Sequence, residues 1–90
     1  MNGVFEREFI ADLRWWVIND PDTADLILSL VESTLDSPRT GLGDPHFMKD
    51  RGIGYWGHTI NRDHLLVYVH HGSNIRFLQC RTLNDEGVPI

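Results

Sequence analysis

The sequence predicts an α+β domain: two N-terminal antiparallel helices packed on a small antiparallel sheet. Three observations point to it. Apolar residues recur at spacings of three and four up to about residue 36, the pattern switches to period two after Gly54, and turn-forming clusters separate the segments. Helices gathered on one face of a meander of strands are the simplest way to bury both kinds of apolar face.

The first helix is expected over Phe5 to Asn19, with Phe9, Leu13, Trp16 and Val17 as its buried stripe. Asn19-Asp20-Pro21 then ends one helix and starts another. Asp20 is a capping carboxylate, and Pro21 suits a first turn where its missing N–H costs nothing. Ala24, Ile27, Leu28, Val31 and Leu35 carry the second helix to Ser37-Pro38, where proline disfavours further helix. Arg39 to Lys49, with Gly41, Gly43 and Pro45, reads as a loop. Three strands follow, over Gly54–Ile60, His64–His71 and Ile75–Thr82, joined by hairpin connections at Asn61-Arg62-Asp63 and Gly72-Ser73-Asn74. Val4-Phe5 is a further short strand candidate before the first helix. The domain is expected to span residues 1–84, with 85–90 as a C-terminal extension.

Ninety residues allow one small core, and 41% hydrophobic with 23% charged residues is a globular composition. No apolar run approaches the roughly 20 residues of a spanning helix, and the start MNGVFEREF lacks the basic and apolar regions of a signal peptide, so a cytoplasmic protein without a membrane partner is expected. The single cysteine, Cys80, has no partner for an internal disulfide or a thiolate metal site. No metal or other cofactor is expected. The net charge of -5 opposes unaided binding to nucleic acid. Acidic residues concentrate in residues 1–36, whereas Arg39, Lys49, Arg51, Arg62, Arg76 and Arg81 give the second half a weakly basic character.

Five short strings share one order and spacing: Asp12-Leu13-Arg14-Trp15-Trp16; Gly41-x-Gly43-x-Pro45-x-x-Met48-Lys49; Gly54-Tyr55-Trp56; Ile60-x-x-x-His64-x-Leu66-Val67-Tyr68; and Cys80-Arg81. Together they resemble the Txe/YoeB toxins of type II toxin-antitoxin systems, within the RelE-like superfamily. The register runs ungapped from about residue 4 to residue 84. The resemblance implies a ribosome-dependent messenger-RNA endoribonuclease that a small antitoxin holds inactive.

It also exposes departures. Where the family carries a loop glutamate, a strand arginine and a terminal histidine-tyrosine pair, this chain has His46, Leu65, Leu83 and Asn84. Two further family arginines are replaced by His58 and Thr59. A general acid or base contributes about 10² to 10⁴ in rate, and one oriented charge-stabilising donor about 10² to 10³. Leucine supplies neither.

Two classes of function follow. One is a toxin-shaped protein with a degenerate active site that acts by binding an antitoxin-like protein or another protein target. The other is an active ribonuclease, engaging ribosome and messenger RNA through a rearranged site of His46, His58 and Arg81. Lys49, His64 and Arg81 match family positions and are the candidates for phosphate contact. His70 and His71, adjacent on a strand, are expected on opposite faces. Trp15, Trp16 and Trp56 are expected to pack rather than stack on bases, with Trp15 or Tyr55 available to a homodimer surface.

Overall fold

The computed structural model describes residues 1–40, 45–61 and 63–82. The element order is β1 (Asn2–Phe5), α1 (Arg7–Asn19), α2 (Pro21–Asp36), β2 (His46–Phe47), β3 (Tyr55–Thr59), β4 (Leu65–His71) and β5 (Asn74–Gln79). All the strands join one sheet in the order β1-β5-β4-β3-β2. The expected α+β architecture is therefore present.

The turn between the helices is built as its residues dictate. The Asp20 carboxylate accepts from the Thr23 N–H at 3.3 Å and from the Thr23 hydroxyl at 2.7 Å, and Pro21 occupies the first turn of α2. The buried stripes differ in detail from the expected ones. Val17 is 53% exposed and Leu28 46%, whereas Leu30 and Thr34 are buried with Ala24, Ile27 and Val31. A step of four residues from Ala24 to Leu28 overshoots the turn that faces the sheet, and the step of three to Ile27 does not.

Two features of the sheet correct the expectation of a purely antiparallel meander. The first strand runs from Asn2 to Phe5 and pairs parallel with β5, Val4 lying opposite Arg76 and Phe5 opposite Phe77. It lies outside β5 at the edge of the sheet, and the Glu6 N–H still donates to the Phe77 carbonyl just before α1 begins. The second feature is β2, inside the segment expected to be loop. Two residues are too short to show a period, yet Phe47 pairs with Trp56 and meets it edge-on at 5.7 Å.

Strand parity divides the sheet into two faces. Trp56, His58, Leu66, Tyr68, Ile75 and Phe77 point toward the helices and pack with Phe9, Trp16, Ile27 and Leu30. Phe77 also stacks on Phe5 at 5.0 Å and tilts against Phe9 at 5.6 Å. The opposite face carries Tyr55, Gly57, Thr59, Leu65, Val67 and Val69 as cross-strand neighbours. A register shift between Val67 and Tyr68 leaves Leu78 as an extra residue on β5. Among the described residues no helix is long and apolar enough to cross a membrane.

The Asp20 cap generates a measurable expectation. Asp20→Ala should lower the unfolding free energy by about 1 kcal/mol, read from urea denaturation at neutral pH, while Asp20→Asn should retain most of it.

Candidate functional site

The site begins where two ends of the chain meet. Helix α1 presents Asp12 and Trp16 one turn apart, on the side facing the end of β5. Asp12 Oδ2 accepts the Cys80 N–H at 3.1 Å, and Trp16 Nε1–H donates to the Cys80 carbonyl at 2.9 Å. The Cys80 peptide is thus held at both its polar groups. Burial pushes the Asp12 carboxyl above its ordinary value, against the lowering effect of the Cys80 N–H and of the Arg81 charge. Burial also pushes the Cys80 thiol up.

Arg81 follows directly. Its guanidinium carbon lies 3.5 Å from the centroid of the Trp15 ring, and Trp15 in turn meets Trp16 edge-on at 5.0 Å. Such a cation over an indole contributes about 0.5–2 kcal/mol, more as it loses water. Arg81 Nε is buried without a hydrogen-bond partner among the described residues. The string Asp12-Leu13-Arg14-Trp15-Trp16 therefore acts as a docking strip for the segment after β5. Sequence reading missed the role of Asp12. The available signal was its spacing of four from Trp16.

The same segment is tied to the start of β4. Thr82 N–H donates to His64 Nδ1 at 3.1 Å, and the Leu65 N–H donates to Thr82 Oγ1 at 3.0 Å. His64 is 7% exposed and stands edge-on to Trp16 at 4.9 Å. An accepting Nδ1 fixes the neutral ring with its proton on Nε2. Burial, reinforced by the positive charge of Arg81, holds its pKa below the usual 6.5. His64, a candidate for phosphate contact, is occupied with holding the backbone of Thr82. Leu83 and Asn84 lie outside the described residues, as does the extension 85–90.

His46 and His58 do not face one cleft, which corrects that expectation. His58 is fully buried on the helix side, where its Nε2 meets Thr34 Oγ1 at 2.9 Å and its ring stacks on Tyr68 at 5.5 Å. Thr34 already donates to the Leu30 carbonyl at 2.7 Å, so its hydroxyl accepts from His58. Beside them, Tyr68 donates its hydroxyl to the Pro38 carbonyl, and burial raises its pKa to about 12. His46 is exposed and belongs to the opposite face. It lies with Met48 over Gly57, where a Cβ added to the glycine would sit 2.9 Å from the Met48 sulfur and 3.5 Å from His46 Nε2. A Cβ there would have to push the Met48 side chain aside.

Leu65 and Thr59 are register partners on that same face. The two positions fall side by side. Lys49 is exposed in the turn after β2, on the chain that leads through Arg51 to Gly54. Arg81 and Asp12 line a shallow groove together with Glu6, Glu8, Gln79 and Arg51 of that same segment. Trp56 packs against Phe47 and under Arg39, whose guanidinium carbon is 5.7 Å from its ring centroid. Among the described residues no three His, Cys, Asp or Glu side chains gather as metal ligands would.

With this geometry in view, comparisons with known proteins agree on one group. Residues 5–83 match the family described as a YoeB-like toxin of bacterial type II toxin-antitoxin systems. Toxin YoeB of Synechocystis is 31% identical over 70 residues, covering 78% of this chain and 81% of that protein. A YoeB/ParE toxin from Agrobacterium tumefaciens superposes with a TM-score of 0.83 at 30% identity, over 90% of this chain and 96% of its own. A YoeB-YefM complex and a YoeB dimer, both from Staphylococcus aureus, give TM-scores of 0.79 and 0.81 at 25% and 26% identity, each covering 91% of this chain and 95% of theirs.

The buried, neutral His64 sets a pH dependence. A pKa lowered by folding means that the unfolded chain binds the proton more tightly, so this contribution is full above the usual 6.5 and is lost as pH falls through the lower folded value. The denaturation midpoint should fall as pH is lowered from neutral toward 5, and His64→Asn should flatten that slope relative to the unaltered chain.

Proposed function

The chain belongs to the YoeB-like toxin family of bacterial type II toxin-antitoxin systems, and from that membership we propose that it acts in the cytoplasm by binding protein rather than by cutting messenger RNA. The partner is an antitoxin of the kind seen with its S. aureus relative, described as a YoeB-YefM complex, and a second copy of the chain, as in the relative described as a YoeB dimer.

One observation carries the reading. Thr59 and Leu65 are paired on adjacent strands, on the face that also bears His46. Cleavage at a ribose needs a fixed cation beside the phosphate as charge builds there. The resemblance supplies guanidinium groups at both of these paired positions, and here a hydroxyl and an isobutyl group stand instead. A single lost donor costs about 10² to 10³ in rate. Two neighbouring losses leave the same phosphate position without either.

The alternative is ribosome-dependent cleavage by a rearranged site of His46, His58 and Arg81. What favours it is His46, an exposed imidazole on the face that lost the arginines. Against it stands the placement of the other two, His58 under α2 and Arg81 over Trp15. Lys49 and His46 are then the groups left to meet RNA.

Incubation with translating ribosomes and mapping of messenger ends should give no site-specific cuts. Such cuts, if abolished in His46→Ala, overturn the binding reading. Expressed in cells, Leu65→Arg combined with Leu83→His should remain non-toxic, because Thr59 and His58 still replace two basic groups. Co-expression with a YefM-class antitoxin should yield a co-purifying complex.

A further inference from the structure

Among the described residues the sheet has two edges without a further strand, and they are not alike. One is β2, two residues long and therefore a poor template for another strand. The other is β1, Asn2–Phe5, exposed along its whole length. Natural edges are protected by lysine, proline, a bulge or a covering element. Asn-Gly-Val-Phe carries no such residue, and Val4 and Phe5 are 41% and 42% exposed.

The hydrogen-bond register tells which atoms are free. Asn2 N–H donates to the Ser73 carbonyl and Glu6 N–H to the Phe77 carbonyl, both at 3.0 Å. In a parallel pair alternate residues bond the same neighbour, so Asn2, Val4 and Glu6 turn their polar groups toward β5. Gly3 and Phe5 turn theirs outward. Their side-chain positions agree: Val4 shares a face with Arg76, and Phe5 with Phe77.

This arrangement is complementary to itself. If two copies of β1 meet antiparallel about a twofold axis at Val4, each Gly3 lies opposite the other copy's Phe5, and each such pair exchanges both its N–H and its C=O. Val4 then faces Val4 across the axis as the pair between the hydrogen-bonded ones, and Asn2 falls opposite Glu6. No like charges meet. Val4 also borders a cavity of about 340 Å³ lined by Tyr55, Val69, His71, Asn74, Arg76 and Leu78. A strand of unrelated sequence would gain the backbone bonds and lose the symmetric contact of the two valines.

We infer that the β1 edge is the surface through which the chain pairs with a second copy of itself, giving one continuous sheet across the dimer. This rests on the self-association part of the proposed function and leaves antitoxin binding untouched.

Sedimentation equilibrium of the full chain over a concentration series tests it. The unaltered chain should show a reversible, concentration-dependent dimer. Val4→Lys, which sets like charges opposite each other, should weaken association by about tenfold or more. Thermal melting followed by circular dichroism checks that the variant remains folded. In addition, Val4→Cys should form a disulfide-linked dimer under mild oxidation. The Cα separation of about 4.5 Å expected for such a pair lies within the range a disulfide spans. Val17→Cys, exposed on α1, and the unaltered chain with its buried Cys80 should not. A dimer that survives Val4→Lys and gives no Val4→Cys cross-link uses another surface and overturns the inference while self-association stands. A chain that stays monomeric throughout overturns both, and capture of the antitoxin is then judged by co-purification alone.

Discussion

The grip of α1 on the Cys80 peptide organises much of this small domain. Asp12 and Trp16 satisfy its N–H and C=O from one helix face, at a place where β5 has ended and no ladder partner remains for either group. An unpaired peptide buried there would cost about 1–3 kcal/mol for each polar group left without a partner. Because these bonds join residues near the two ends of the described chain, they also set how α1 lies across the sheet. Trp15, Arg81, His64 and Thr82 then have their positions determined by this contact. The partly buried Asp12 tolerates its environment because an N–H and a guanidinium lie close by.

One face of the sheet is packed by helices and the other is left open. In this chain the packed face has taken up polar residues of its own. His58 sits in a buried set with Thr34 and Tyr68. On the open face Leu65 and Thr59, neither of them charged, pair in adjacent strands. Each residue is compatible with folding, since an imidazole fits under α2 more cheaply than a guanidinium would and an isobutyl group needs no counter-ion.

Much of the architecture was legible in the residues because local physics determined it. Asp20-Pro21 specifies a cap whatever the rest of the chain does, and the hairpin at Gly72 follows from turn length. The direction of β1 was not legible, because nothing in Asn2–Phe5 distinguishes a parallel partner from an antiparallel one; topology decides. Nor was β2, whose two residues carry no period. At the site, chemistry groups His46, His58 and Arg81, whereas the sheet puts His46 and His58 on opposite faces. His58 shares parity with Trp56 and Ile60, and accepting those two as packing residues already places His58 with them. The role of Asp12 is not legible in side-chain identities, because its partner is a backbone N–H.

The parallel pairing of β1 with β5 has a consequence in time. Asn2 finds its place only beside Asn74, so the first strand to leave the ribosome cannot join the sheet until the last strand is made. Contacts of such sequence separation are costly to close and form late. The helix hairpin can assemble early from neighbouring residues, but the Cys80 peptide that anchors it arrives near the end of synthesis. During translation the nascent chain therefore carries an unpaired apolar strand ahead of a finished hairpin, a form in which neither the open face nor the clamp yet exists. Any protein that recognises the completed sheet must wait for the whole chain, whereas one that recognises the helices alone can bind while the ribosome is still at work.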